Sequence, residues 1–285
     1  MSFSFYTDLA CERQRASEEL GGCRYKEEAL GLCRLHTLHV DTEECGAALG
    51  CSVGCYRTLF FPSAATLGSK EIQEVTFHLA DLLRQTKLPH PKRVLVVGLG
   101  NRAVTADSLG PQVAGGVHAT AHLKEEAPHI FSALDSAEIA VFVPDVTANS
   151  GLVTSPLVAA VAKLFSPDLV IAVDSLAAHG IERLGRTVQI TDAGITPGAG
   201  VGNNKTALCR EDLPCPLLSI GAPTVCTPAT LLHKARRSFS EEELEDLCKE
   251  TAHLFLSPQD ADLTTKRLAE VIAEAINRAF GVADL

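Results

Sequence analysis

Five short apolar runs constrain the fold of this chain more than any other feature of its sequence. They are rich in Val, Ile and Leu, and each is closed by Gly, Pro or Asp: VLVVGLG (94–100), IAVFVPDV (139–146), LVIAVDS (169–175), TVQITDAG (187–194) and LLSIGAPTV (217–225). Helical patterns lie between several of them. Near-continuous apolar strands separated by helices are typical of a sheet that is covered on both faces. The sequence therefore predicts an α/β fold with a mostly parallel or mixed central sheet.

The rest of the chain divides around this predicted core sheet, which spans residues 93–232. Residues 24–67 contain alternating segments such as LCRLHTLHV, which predict a small β-rich N-terminal region. Residues 72–83 carry apolar residues on one helical face, and residues 238–281 predict C-terminal helices, the first opened by a Ser240–Glu243 capping box. We expect one α/β domain over residues 9–285, because no linker interrupts it.

Charge and hydropathy exclude several classes of protein. The formal net charge of -10 argues against non-specific binding to nucleic acid, which requires a basic surface. The apolar runs are too short to cross a membrane, and the first residues do not resemble a signal peptide. These features predict a cytoplasmic protein with neither a nucleic acid nor a membrane as its partner.

The ten cysteines allow two interpretations. Cys51 and Cys55 are four residues apart, and Cys33, His36 and His39 follow one another at intervals of three, so a metal site could be assembled from them. No paired C-x-x-C motif is present, however, and disulfides are rare in a reducing cytoplasm. We therefore expect reduced, mostly buried thiols, and we predict neither a metal nor a cofactor.

The stretch VLVVGLGNRAVTADSLGP (94–111) also has two interpretations. Gly98, Gly100 and Ala103 fit a weak form of the glycine-rich turn that binds a dinucleotide. That turn requires a helix to begin at the second glycine, whereas Pro111 indicates a later helix start. No acidic residue closes a strand about 20 residues further on, where the ribose contact belongs. The stretch therefore favours a loop that carries the carboxylate of Asp107.

A second aspartate, Asp174, ends the apolar run at 169–175 in the same way. Active sites of open parallel sheets form at the carboxyl ends of strands, so neighbouring strands would bring Asp107 and Asp174 into one crevice. Two close carboxylates cannot both ionise without cost, so one becomes a general acid and the other a general base, or the pair binds metal. The alternative is that each aspartate only caps the helix that follows it.

Several motifs, in this order, resemble the germination protease family of spore-forming bacteria: TDLACE (7–12), ALGCSVGCYRTL (48–59), VVGLGNRAVTADSLGP (96–111), SPDLVIAVDSLAAHG (166–180), QITDAGITPGAGVGNN (189–204) and SIGAPTV (219–225). The GLGN element also resembles the hydrogenase maturation peptidases. The resemblance implies a phosphorylase/hydrolase-like core fold of the maturation-peptidase type, and it implies an endopeptidase that degrades small acid-soluble spore proteins during germination. It further implies a homotetramer in the forespore or spore core.

The resemblance also assigns residues. The two essential aspartates of the family fall on Asp107 and Asp174, and the family's self-cleavage bond falls on Asp8–Leu9, so residues 1–8 form a candidate propeptide. We expect substrate-binding backbone at Gly98, Gly100, Asn101, Gly198 and Gly200. His179, which stands where the family usually has Arg, and the strand-terminal Asp145 and Asp192 are possible accessory residues, or they are ordinary hydrogen-bonded and turn residues.

Two other functions are compatible with the sequence. One is a maturation-type peptidase that recognises a metal-loaded client protein. The other is an inactive homologue that serves as a binding scaffold. Retention of both aspartates and of TDLACE favours the self-processing endopeptidase over these alternatives.

Overall fold

The computed structural model describes residues 7–13, 21–85, 90–134, 136–195, 208, 210–235 and 240–281. Within these residues, one eight-stranded sheet has the order β1-β2-β3-β7-β8-β6-β4-β5. The strands are β1 (Cys23–Leu30), β2 (Cys33–Val40), β3 (Gly54–Phe60), β4 (Arg93–Gly98), β5 (Glu138–Phe142), β6 (Leu169–Ala178), β7 (Thr187–Thr191) and β8 (Leu217–Cys226). The sheet is mixed: β8, β6, β4 and β5 are parallel, whereas β1, β2, β3, β7 and β8 pair antiparallel in turn.

Helices cover both faces of this sheet, as the apolar runs predict. The α-helices are α1 (Glu43–Leu49), α2 (Ser69–Arg84), α3 (Leu109–Gly116), α4 (Leu123–Glu126), α5 (Pro128–Leu134), α6 (Thr147–Ser150), α7 (Thr154–Phe165), α8 (Pro228–Lys234), α9 (Glu241–Glu250) and α10 (Ala261–Ala279). On one face, α2, α3 and α10 pack over Val96, Ile171 and Ile220. On the other face, α7 packs over Val97 and Ala172. The successive side chains of β4 and β6 thus enter opposite cores.

All five apolar runs form strands, and the predicted helix at 72–83 lies within α2. The Ser240–Glu243 capping box is also confirmed, since the Ser240 hydroxyl accepts a hydrogen bond from the Glu243 amide.

The loop after β4 runs to Leu109, where α3 begins, so Pro111 is the third helical residue rather than the first. This late helix start places no helix N-terminus at Gly100, which is the geometry that a dinucleotide turn requires. No helix among the described residues has the length and apolar character needed to span a membrane.

The β-rich N-terminal region extends the parallel core instead of forming a separate layer. Strand β3 pairs with β7, so β1, β2 and β3 continue the same sheet.

The expectation that all cysteines are reduced is wrong for two of them. The structure joins Cys23 at the start of β1 to Cys45 in α1 through a disulfide, with their Cα atoms 6.4 Å apart. That separation lies in the usual range for disulfides. The sequence does not indicate this pairing, because Cys23 and Cys45 meet only when α1 folds back onto the sheet.

We expect protein purified without reductant to contain eight reactive thiols after denaturation, that is, the ten cysteines of the sequence minus Cys23 and Cys45. Thiol counting in denaturant, followed by a second count after reduction, measures the difference directly. The Cys23→Ser variant keeps nine cysteines and cannot form this disulfide, so it should show nine thiols both before and after reduction. Ten thiols in the unreduced wild-type protein would contradict the pairing.

Candidate active site

The loop that follows β4 holds Asp107 against the turn that it leaves. The amide of Asn101 donates a hydrogen bond to Oδ2 of Asp107 at 2.9 Å, and Asp107 ends a short 3-10 helix, Thr105–Asp107. Gly100 has a φ of 112°, and a Cβ there would lie 2.1 Å from the carbonyl oxygen of Asp107. Only glycine fits this close approach. The carbonyl of Ala106 accepts a hydrogen bond from Thr224 on β8 at 2.6 Å, which ties the loop to the sheet.

Asp174 lies immediately beside this turn. The amide of Leu99 donates to the carbonyl of Val173 at 2.8 Å, and Gly98, the last residue of β4, is in register with Val173. Asp174 is therefore the first residue of β6 beyond the end of β4. Its side chain is 1% exposed, and its Oδ1 accepts a hydrogen bond from the amide of Ser175 at 2.8 Å. Asp107 and Asp174 therefore both lie next to the turn at 99–101.

A cross-strand row connects Asp174 to a buried glutamine. Asp174 and Gln189 are both in register with Gly221, which belongs to the strand between them. Residues directly opposite one another share a face of the sheet. Neighbouring strands lie about 4.8 Å apart, so the Cα atoms of Asp174 and Gln189, two strands apart, are separated by about 10 Å. A Cβ at Gly221 would lie 2.5 Å from Cγ of Leu176, so the glycine leaves room for this side chain above the row.

The N-terminal segment Thr7–Arg13 lies across the same end of the sheet. The amide of Asp8 donates to the carbonyl of Ala177 at 2.9 Å, and the amide of Ala177 donates to Oδ2 of Asp8 at 2.8 Å. The backbone and the side chain of Asp8 are thereby both fixed on β6. An acidic side chain at this position is recognised by a main-chain N–H, which is a charge-assisted hydrogen bond.

The residue that follows Asp8 fills an apolar pocket. Leu9 is fully buried and packs in one cluster with Leu176, Ala178 and Cys11. Burial of a leucine side chain contributes roughly 1.5–3 kcal/mol. Burial also raises the pKa of the Cys11 thiol to about 12, so this thiol stays protonated while the segment is docked.

Glu12 anchors the far end of the segment. Its two carboxylate oxygens accept hydrogen bonds from the amides of His179 and Gly180, each at 2.7 Å, and Nε of Arg183 lies 3.7 Å from Oε1. The guanidinium of Arg183 is itself held 4.3 Å above the ring of Phe60. Because His179 contributes its main-chain N–H, this contact does not depend on which side chain stands at position 179.

Arg13 closes the segment onto the N-terminal region. Its Nη1 donates to the carbonyls of Leu49 and Gly50 at the end of α1, and its Nη2 donates to the carbonyl of Thr7 at 2.6 Å. A cation at the C-terminus of a helix is favourable because the last carbonyls carry partial negative charge. The segment is therefore held at both of its ends and in its middle.

The structure distributes the other predicted site residues over several places. Gly98 packs against α3, since a Cβ there would lie 2.4 Å from the carbonyl of Gly110. Asp145 accepts hydrogen bonds from the amide of Val146 and the side chain of Asn149, the contacts of a turn residue. The His179 side chain lies 3.3 Å from the Thr230 hydroxyl. Gly198, Gly200 and residues 1–6 of the candidate propeptide lie outside the described residues.

Asp192 lies on the opposite face of the sheet from Asp174. Its Oδ1 accepts a hydrogen bond from the amide of Cys55, and it lines a cavity of about 1030 Å³ together with Arg57 and Leu218. Leu218 belongs to the core that α2 and α10 cover, whereas Asp174 follows the alternation of Val170 and Ala172 toward α7. The structure thus brings Asp107, Asp174 and Asp8 to one edge and separates Asp192 from them.

The candidate metal ligands of the N-terminal region are also divided between two faces. His36 is in register with Thr58, and its Nδ1 contacts the hydroxyl of Tyr25. Cys33 and His39 stand at odd positions of the same strand, so their side chains leave the sheet on the other side. Among the described residues, no group of three or more His, Cys, Asp and Glu side chains is arranged to hold a metal ion.

Comparison with known proteins places the chain in a family. The family model for germination protease matches residues 5–236. Germination protease of Caldanaerobacter subterraneus subsp. tengcongensis is 32% identical over 96% of this chain and 93% of its own length. Germination protease of Clostridium perfringens is 30% identical over 98% and 95%, and that of Bacillus velezensis is 35% identical over 80% and 65%.

Among solved structures, the [NiFe] hydrogenase maturation protease HycI from Thermococcus kodakarensis matches 70% of this chain and 99% of its own, with 22% identity and a TM-score of 0.37. The family model and the curated relatives cover most of the chain. The residues matched by the family model include the loop of Asp107, the strand of Asp174 and the docked N-terminal segment. The chain therefore belongs to the germination protease family of peptidases.

Proposed function

We propose that this protein is an endopeptidase made as a precursor, which cleaves its own Asp8–Leu9 bond and uses Asp107 and Asp174 as its catalytic pair. The observation that carries the proposal is the docking of Thr7–Arg13. Asp8 is fixed on Ala177 of β6 and Leu9 is fully buried, on the face of the sheet toward which Asp174 points. A segment with an acidic residue followed by a buried apolar one has the form of a bound peptide substrate.

In the proposed mechanism, two carboxylates act on one peptide bond. Two close carboxylates share a proton, so the ionised member takes a proton from water while the protonated member can donate one. The water oxygen attacks the carbonyl carbon of Asp8, and the tetrahedral intermediate then collapses with loss of the C–N bond. The nitrogen of Leu9 leaves as an amine after it receives a proton from the pair, and Asp8 ends as a new carboxyl terminus.

Family membership supports the choice of substrate and setting. We propose that small acid-soluble spore proteins bind as Thr7–Arg13 does, with an acidic side chain on the Ala177 amide and an apolar side chain beside Leu176. Cleavage during germination would take place in the forespore or spore core, which is a cytoplasmic compartment. We further propose that the working form is a homotetramer.

Intact-mass measurement tests self-cleavage. Purified full-length protein, incubated under mildly acidic conditions, should lose residues 1–8 and acquire Leu9 as its N-terminus. A synthetic peptide with the sequence YTDLACER (6–13) should then be cut after its aspartate. A cut elsewhere in the chain would contradict the assigned bond. An unchanged mass together with an intact peptide would favour the binding scaffold, and cleavage only of a metal-loaded client would favour the maturation-type peptidase.

A further inference from the structure

The buried Gln189 contacts the bond that the proposed function assigns for cleavage. Its Nε2 donates to the carbonyl oxygen of Asp8 at 3.1 Å, and its Oε1 accepts from the amide of Ala10 at 2.9 Å. One side-chain amide therefore contacts both the carbonyl oxygen of the Asp8–Leu9 peptide bond and the amide of Ala10, the residue after Leu9. Gln189 is 5% exposed and lies in the middle of β7.

The orientation of this amide is fixed by its partners. A main-chain N–H can only donate, so the atom that faces Ala10 must be the oxygen. A carbonyl can only accept, so the atom that faces Asp8 must be the NH₂ group. The hydroxyl of Thr58 adds a long contact of 3.4 Å to the same Oε1. The donor is thus presented to the carbonyl before any reaction begins.

We infer that Gln189 binds the carbonyl oxygen of the scissile bond and stabilises the negative charge that develops on it. This inference rests on the proposed cleavage of Asp8–Leu9. When water adds to the carbonyl carbon, the π electrons move to the oxygen, which becomes an oxyanion until the C–N bond breaks. A preorganised amide donor in a water-poor site stabilises such an oxyanion more than it stabilises the neutral carbonyl.

The position of Gln189 in the sheet agrees with this role. Gln189 and Asp174 flank Gly221 in one cross-strand row and on one face. A carbonyl held by Gln189 is therefore approached by water from the side of Asp174. No loop movement is needed to place the donor, because Gln189 is carried by a strand paired on both sides.

The sharpest test is Gln189→Glu in the full-length chain. This variant keeps an oxygen for the amide of Ala10 but removes the N–H donor to Asp8. We expect the first-order rate of self-cleavage, measured by intact mass, to fall roughly 10²- to 10³-fold, as it does when an oxyanion donor is lost. Gln189→Met removes both contacts without adding a charge, and it serves as the second variant if the glutamate variant does not fold.

Thr187→Val is the matched control. Thr187 belongs to the same strand and face, is fully buried, and its hydroxyl has no hydrogen-bond partner among the described residues. We expect its rate to equal that of the wild type. Alkylation at Cys11, mapped by peptide mass, reports whether the segment stays docked, since this thiol is 6% exposed in the docked form. Thermal melting monitored by circular dichroism checks folding of each variant.

The outcomes separate the inference from the proposed function. A slow Gln189→Glu variant in which Cys11 stays protected supports the carbonyl role. Wild-type cleavage with an equally fast Gln189→Glu or Gln189→Met variant overturns it, and so does a slow variant in which Cys11 has become reactive, because Gln189 would then only hold the segment. Absence of cleavage in the wild type overturns the proposed function itself.

Discussion

Replacing either aspartate of the proposed catalytic pair by asparagine is expected to abolish peptide cleavage. Asp107→Asn and Asp174→Asn remove the charge and proton exchange of a carboxylate but keep its size. General acid–base catalysis contributes roughly 10²- to 10⁴-fold, so each variant should lose at least this factor in kcat/KM on the YTDLACER peptide and in self-cleavage. The two losses should not multiply in the double variant, because the pair acts as a unit.

Folding must be preserved for this result to be informative. Asp107 accepts a hydrogen bond from the amide of Asn101, and Asp174 accepts one from the amide of Ser175. The Oδ1 of an asparagine can accept either of these hydrogen bonds. Melting temperatures close to that of the wild type would therefore accompany lost activity. Asp145→Asn is the control, because its contacts are confined to the turn at 145–149. Near-normal turnover by a folded Asp107→Asn or Asp174→Asn protein removes that residue from the mechanism.

The second large effect is expected at Glu12. Glu12→Ala leaves the amides of His179 and Gly180 and the guanidinium of Arg183 without their carboxylate. Hydrogen bonds to charged groups contribute about 1.5–3 kcal/mol. Loss of this energy lowers the equilibrium constant between the docked and the undocked segment by roughly 10- to 150-fold. We expect slower self-cleavage and faster alkylation of Cys11.

Two measurements distinguish loss of docking from loss of chemistry. Glu12→Ala should cut an added YTDLACER peptide at least as fast as the unprocessed wild type does. The proposed catalytic pair is untouched, and the site that Thr7–Arg13 occupies is filled less of the time. Glu44→Ala, at an exposed position of α1, controls for removal of a glutamate and should behave as the wild type. Unchanged protection of Cys11 in Glu12→Ala would show that the carboxylate does not anchor the segment.

The sequence was sufficient for the fold wherever local pattern determines structure. The runs at 169–175 and 217–225 are apolar on both faces, and both became strands buried along their whole length. Positions that depend on distant register were less accessible. Gln189 has no distinguishing local motif, and its contacts with Asp8 and Ala10 form only when the N-terminal segment docks beside β7.

Alternation along β7 indicates the face of the sheet on which Asp192 lies. Ile190 is apolar and core-facing, so Asp192, two residues later, belongs to the same side, whereas Gln189 belongs to the other. The two aspartates assigned to catalysis follow a different rule. They lie where parallel strands end at a common edge, which a sequence can indicate without knowledge of side-chain contacts.

Docking of Thr7–Arg13 on its own chain has a kinetic consequence. A tethered peptide meets the site at an effective concentration that the fold sets and that dilution does not change. If the Asp8–Leu9 bond is cut as proposed, the reaction is unimolecular, and its rate should not change when the protein is diluted. The contacts of Glu12 and Arg13 lie on the Leu9 side of that bond, so after such a cut residues 9–13 would stay docked and an added peptide would have to displace them.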